Sequence, residues 1–419
     1  MVSLLDLTIE LSRATDMIST KLNDHQRQVA YIAYNLAEEL DYSEKDKNDL
    51  VIAGILHDIG GLSVQERLHV LNFEVLNPHR HGKVGWLLLK NYREFQEISK
   101  IIKHHHVDWD YGKGRFHEGE EVSCASHLLH FADRISTSIM GSKNRLRDQR
   151  SLAERLDRYR ERKFQPKMVD AFHRLWEKEY FWYDVDAIQK GSNFYKQPRL
   201  QDHTLNLPEL LGISKLFARI IDFRSRFTAV HSEGVAAVAK SLGKAMDMSE
   251  EEVLKLEIGG YLHDIGKLTV PPEILEKPGP LTEEEFQVMK AHTYHSYVLL
   301  DRVKGMEEIN GYASMHHERL DGTGYPFKKQ GHELSLGAKI MAVADVYTAI
   351  TENRPYRKGM EEKKALQILG KMKDRQEVDP AVVKALFHHR EYVRWERIRA
   401  QDKARDRYQS FAEEIAALT

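Results

Sequence analysis

EIGGYLHDIGK (257–267) closes an apolar run on the pair His263-Asp264, and LVIAGILHDIGG (50–61) closes another on His57-Asp58, 206 residues earlier. The offset recurs. His25 and His231 are also 206 apart, His81 and His292 are 211 apart, as are His105-His106 and His316-His317, and Asp133 and Asp345 are 212 apart. Pro166 in FQPKMVDAF (164–172) and Pro380 in VDPAVVKAL (378–386) differ by 214. Loop insertions between fixed elements produce an offset that drifts so little, and the chain reads as two copies of one domain.

Both copies read as helical, which makes the fold all-α, two similar helical domains in tandem. Val29, Ile32, Leu36 and Leu40, and in the second copy Val235, Val238, Leu242 and Met246, recur at helical spacing. Breakers cluster at KPGPL (277–281) and DGTGYP (321–326) and mark loops. The expected organisation is an N-terminal domain over 1–175, a connecting segment over 176–210, a C-terminal domain over 211–395 and a charged helix over 396–419. The connecting segment contains EYFWYDV (179–185), whose aromatics should pack on one or both domains. The terminal helix reads as solvated. At the other end, Leu4, Leu7, Leu11 and Ala14 trace one face of a helix.

Composition narrows the function classes. The chain has 419 residues, 42% hydrophobic and 30% charged, with a formal net charge of −2. That balance suits globular domains and gives no broad pull toward DNA, RNA or an anionic membrane, although a local basic cluster can still hold a small anion. A single cysteine, Cys124, excludes an intramolecular disulfide framework and fits a reducing compartment. No apolar run approaches the length of a membrane span, and Asp6 and Glu10 break any signal-peptide pattern. The expected location is cytoplasmic.

His25 and His231 lie one turn before Val29 and Val235 on the apolar stripes, so their rings should point inward. The His-Asp pairs, Asp133 and Asp345 all end apolar runs, where an ionised carboxylate is costly unless a cation meets it. A lone inward histidine is more often a hydrogen-bonded core residue, and Arg134 beside Asp133 offers a local ion pair instead. Co-occurrence overturns these bland readings. Seven candidate ligands recur in one order in both copies and take up 10 of the chain's 22 histidines. Imidazole with carboxylate suits Mn, Fe or Zn.

With HDIGKLTVPPEILEKPGPLTEEE (263–285), MKAHTYHS (289–296), HHERLDGTGYP (316–326) and AVADVYTAITENRPYRKG (342–359), the second copy resembles the HD-GYP branch of the HD phosphohydrolases. The resemblance implies an all-α domain acting on cyclic di-GMP, or in some members cyclic GMP-AMP. It implies that His231, His263, Asp264 and Asp345 hold one metal. Asp264 would bridge to a second metal held by His292, His316 and His317. Two divalent ions, Fe or Mn, would lower the pKa of a shared water and neutralise the phosphodiester. Some relatives add a third ion through a Glu four residues before the first His, but Phe227 stands there, so two metals are expected. Lys267 matches a family lysine that contacts a phosphate or the attacking water, and Arg354 and Arg357 match positions that grip phosphate. Tyr325 is expected either to meet substrate or to pack under its own loop. One departure is Thr348, where relatives often carry Asp; it bears on substrate positioning.

The first copy keeps the ligand types His25, His57, Asp58, His81, His105, His106 and Asp133, a second candidate metal site. It has Gly61 for Lys267 and Ser142 for Arg354, although Arg145 matches Arg357. Metal without phosphate grips suggests a regulatory, ligand-sensing or structural domain. Three readings of the whole chain compete: hydrolysis of cyclic di-GMP to linear pGpG, with a further step to GMP left open, the same chemistry on cyclic GMP-AMP, and a non-catalytic nucleotide-binding signalling module. A homodimer and a signalling-protein partner stay open.

Overall fold

A computed structural model describes residues 1–16, 24–61, 79–139, 145–189, 203–224, 230–277, 279–353 and 358–418. Its secondary structure is helical apart from two two-stranded ribbons, Val2–Ser3 with Thr204–Leu205 and Phe116–His117 with Glu120–Glu121, both antiparallel. The chain forms two compact units: Ser19–His203 with Ile415–Thr419, and Met1–Ile18 with Thr204–Glu414.

The units are built alike. In the first, the helix His25–Glu39 packs on Glu44–Leu56 and Cys124–Ile139; in the second, His231–Ala245 packs on Glu250–Leu262 and Leu336–Thr351. Glu44–Leu56 and Glu250–Leu262 are both 13 residues long, and each starts from a serine cap. Ser43 accepts from the Asp46 N–H, and Ser249 forms a reciprocal capping box with Glu252. Both helices stop at the His-Asp pair, so the same turn presents His57-Asp58 and His263-Asp264. The expected stripes are buried: Val29, Ile32, Leu36, Val235, Val238 and Leu242 are inaccessible, whereas Leu40 and Met246 are half-buried because they cap their helices.

One close approach recurs in both units. A Cβ on Gly60 would collide with the carbonyl oxygen of His81, and one on Gly266 with that of His292. Only glycine lets the turn after the His-Asp pair sit against the next ligand-bearing helix.

Three segments refine the sequence-based organisation. The helix Leu4–Asp16 joins the C-terminal unit, packing on Ile265–Thr269 and Glu283–Asp301. Its amphipathic face announced burial, with Leu4, Leu7, Leu11 and Ala14 at most 2% exposed, but not the surface that covers it. Within the connecting segment, Glu179–Gln189 packs on the N-terminal unit: Phe181 stacks on Tyr31, and the Tyr31 hydroxyl donates to Asp184 at 2.8 Å. The terminal helix Arg390–Ala416 is not solvated all round. It buries Val393, Arg397, Gln401, Ala404 and Phe411, a stripe hidden from a hydropathy reading because two of its members are polar. Among the described residues no helix is long and apolar enough to cross a membrane.

Candidate metal centre

Five elements deliver the second-copy ligands. His231 opens the helix His231–Ala245, His263 and Asp264 follow Glu250–Leu262, and His292 lies within Glu283–Asp301. His316 and His317 come just after Glu307–Ser314, and Asp345 lies within Leu336–Thr351. The fold brings the ligand atoms of His231, His263 and Asp264 within 4.8 Å of one another, and likewise those of His292, His316 and His317. Asp264 stands between the groups, with Oδ2 3.1 Å from His263 Nε2 and Oδ1 3.4 Å from His292 Nε2. Asp345 Oδ1 lies 3.1 Å from His231 Nε2, and its Oδ2 lies 3.8 Å from His317 Nδ1.

Local backbone sets the tautomers. His263, His292 and His316 each donate through Nδ1 to the carbonyl three residues earlier, Gly260, Met289 and Ala313, at 2.8, 2.7 and 2.6 Å. A carbonyl only accepts, so Nδ1 carries the hydrogen and the neutral ring presents an Nε2 lone pair inward. Those three Nε2 atoms are buried and make no hydrogen bond. Burial lowers the pKa of His292 to about 3 and that of His316 well below the usual histidine range, which keeps both rings neutral. Burial would raise Asp264, but the positive charge beside it, with the Lys267 ammonium at 2.5 Å, outweighs burial and holds the carboxylate ionised. Buried lone pairs with no hydrogen to meet, around ionised carboxylates, are the donor set a divalent cation satisfies.

Around the cage, Lys267 Nζ lies 2.5 Å from Asp264 Oδ2. The Tyr325 ring lies 4.9 Å from that of His317, whose side chain is 29% exposed while the other six ligands are nearly closed off. The centre therefore opens at His317 and Tyr325. Thr348 is fully buried. Arg354, Arg357, Phe227 and Ser142 lie outside the described residues; Arg145 opens the helix Arg145–Arg158.

Sequence reasoning missed three supporting residues. Glu352 is buried and places Oε2 3.1 Å from His231 Nδ1. Burial alone would lower His231, but Glu352 and Asp345 carry its pKa up to about 10. Gln401 Nε2 lies 3.5 Å from the same Glu352 oxygen. Glu318, 3% exposed, accepts from the N–H groups of Phe327 at 2.7 Å and Lys329 at 3.0 Å and so ties down the loop that carries Tyr325. The available signal for Glu352 was its position two helical turns beyond Asp345.

The first copy repeats the arrangement. The ligand atoms of His25, His57 and Asp58 lie within 4.8 Å of one another, as do those of His81, His105 and His106. Asp58 again faces both groups, with Oδ2 3.4 Å from His57 Nε2 and Oδ1 3.5 Å from His81 Nε2. The Arg134 ion pair weighed from the sequence is present: Nη2 lies 2.5 Å and Nε 3.1 Å from Asp133 Oδ2. Asp133 Oδ1 nevertheless stays 3.3 Å from His25 Nε2.

Two helical units, each closing a buried histidine–aspartate cage around one shared carboxylate, define a tandem metal-binding hydrolase of the HD class. Family profiles described as HD domain match residues 215–382 and 23–138. The 3'3'-cGAMP-specific phosphodiesterase 1 of Vibrio cholerae serotype O1 is 30% identical over 371 residues, 86% of this chain and 85% of that protein. The chain thus belongs to the HD-GYP-type cyclic dinucleotide phosphodiesterases, with two HD domains in tandem. The 3'3'-cGAMP-specific phosphodiesterase 3 of the same organism is 28% identical and spans 87% of this chain and 90% of its own. The cyclic di-GMP phosphodiesterase response regulator RpfG of Xanthomonas campestris pv. campestris is 39% identical over 175 residues, 41% of this chain and 46% of that protein. A crystal structure of a V. cholerae cyclic GMP-AMP-specific phosphodiesterase (V-cGAP3) shares the fold, with a TM-score of 0.62 at 24% identity over 92% of this chain and 97% of that one.

Proposed function

We propose that the C-terminal domain opens a guanine-containing cyclic dinucleotide, cyclic di-GMP, to linear pGpG and then GMP. The observation that carries this reading is the divided Asp264 carboxylate, each oxygen facing a different group of inward Nε2 lone pairs. His231, His263, Asp264 and Asp345 would hold one divalent ion and Asp264, His292, His316 and His317 a second, with Mn or Fe suited to the donors. Bound there, two such ions acidify water and neutralise phosphodiester charge. The chain's own residues do the rest. Asp264 orients both groups, and its lysine partner Lys267 brings a positive charge to where phosphate charge grows. Tyr325 closes the open side beside His317, and Arg354 and Arg357 are assigned to gripping phosphate.

A second reading, 3'3'-cGAMP as substrate, is favoured by a specific observation: the two relatives whose matches span 86% and 87% of this chain are named for it, whereas the match to RpfG spans 41%. The N-terminal domain, with Gly61 for Lys267, is read as regulatory and non-catalytic. The work is assigned to the cytoplasm. The deciding experiment is turnover of both nucleotides with Mn or Fe under reducing conditions, products separated by chromatography, beside Asp264→Asn. Cleavage of either by the wild type and not by the variant supports the reading. If the wild type cleaves neither, a nucleotide-binding signalling module replaces it.

A further inference from the structure

The cages repeat each other in their ligands and differ in what stands behind them. In the C-terminal unit the first histidine is backed by a carboxylate: Glu352 Oε2 lies 3.1 Å from His231 Nδ1. In the N-terminal unit a hydroxyl takes that place. Ser136 Oγ lies 3.0 Å from His25 Nδ1, and since the hydroxyl donates to Gln28 Oε1 at 3.2 Å it accepts from the ring. A carboxylate behind a ligating histidine raises the basicity of the opposite nitrogen; a hydroxyl does so far less.

The terminal aspartates differ in the same direction. Asp345 is followed by Val346, and its two oxygens face His231 and His317. Asp133 is followed by Arg134, and the guanidinium, 2% exposed, takes Asp133 Oδ2 through two nitrogens. A fully buried, fixed positive charge beside the cage offsets one carboxylate and repels a divalent ion in a medium that screens poorly, whereas the cation of the C-terminal cage, Lys267 on Asp264, is 19% exposed on a flexible stem and is screened by solvent. The cage itself is still built for an ion: His57 donates through Nδ1 to the Gly54 carbonyl at 2.8 Å, and its Nε2 is buried with no hydrogen bond.

We propose that the N-terminal cage is a second divalent-metal site of graded, lower affinity, tuned down by Arg134 and by the Ser136–Gln28 relay behind His25. The chain then fills its two centres in order as free metal rises, so the N-terminal domain reports metal supply at concentrations where the C-terminal centre is already full.

The test uses the full-length chain, stripped with chelator and equilibrated against graded free Mn²⁺, with bound metal counted by elemental analysis. Co²⁺ absorption serves as an independent readout of site geometry. Two affinity classes are expected. His57→Ala with His105→Ala should remove the weaker class, and His263→Ala with His316→Ala the tighter one. Arg134→Met should tighten the weaker class, and Glu352→Gln should loosen the tighter class, each by roughly 10- to 100-fold, the range for partners of ligating residues. If Arg134→Met misfolds by circular dichroism, the near-isosteric Gln28→Glu decides in its place, since a carboxylate behind Ser136 should also tighten the weaker class. A single class in the wild type, a weaker class that survives His57→Ala with His105→Ala, or a deciding variant that leaves its affinity unchanged overturns the proposal.

Discussion

Lys267 Nζ lies 2.5 Å from Asp264 Oδ2, the same oxygen that faces His263 Nε2 at 3.1 Å, so the carboxylate shared by both histidine groups also carries an ammonium. The N-terminal unit has the same carboxylate, Asp58, and has Gly61 where the lysine would be. If the lysine serves the charge that develops on phosphate, removing it should strike turnover and spare the metals. Lys267→Met is expected to lower kcat by about 10²-fold or more, the cost of losing one charge-stabilising donor. Elemental analysis should find its metal content unchanged; loss of metal together with activity would make the lysine a structural partner of Asp264.

Glu318 gives a different signature. Its buried carboxylate accepts two backbone N–H groups from Phe327 and Lys329, which lie on either side of the loop tip after Tyr325. Glu318→Ala leaves both donors without that partner, at about 1–3 kcal/mol for a buried group. Since the Glu318 carboxylate spends its two oxygens on the loop backbone, KM should rise several-fold while kcat changes little. An equal fall in kcat would mean that the loop serves the reacting centre itself.

Gly266 tests how the turn is assembled. Its N–H donates to Ser296 Oγ at 3.0 Å, and an added Cβ would strike the His292 carbonyl. Gly266→Ala should push the His-Asp turn off the helix Glu283–Asp301, costing about 1–3 kcal/mol as overpacking does. Urea unfolding should show the lost stability, and metal titration should show weaker binding at the His292 group. Gly60→Ala should do the same to the N-terminal unit, because His81 stands in the same relation.

The ligand positions were legible because each is a residue type that needs an explanation in an apolar setting, and the chain states the pattern twice. His316-His317 alone would pass as exposed polar residues; repeated at His105-His106 they do not. Glu352, Glu318 and Gln401 were not legible, because a carboxylate or amide in a polar stretch needs no explanation. What makes Glu352 matter is His231, 121 residues away in sequence. The helix Leu4–Asp16 fails in another way: periodicity says which face is buried and nothing about the unit that buries it. Arg134 sits between these cases, since its neighbour in sequence is also its partner in space.

Acid should distinguish the two units. In the N-terminal unit four histidines outside the ligand set, His79, His104, His127 and His130, have their pKa values lowered, in each case chiefly by burial. His79 falls to about 4 and His130 to about 3. Among the described residues of the C-terminal unit, His295 is the comparable case. An unfolded histidine takes a proton near pH 6.5, whereas these folded ones do so only at lower pH. Their contribution to stability is therefore present above about pH 6.5 and is lost as the pH falls toward the folded values. Metal-loaded chain melted between pH 7.5 and pH 5 should lose its N-terminal transition first. His130→Leu, at a site next to Phe164 in the core, should make that transition less steep in pH. A C-terminal transition that moves first, or a slope untouched by His130→Leu, would assign the acid sensitivity to the cages.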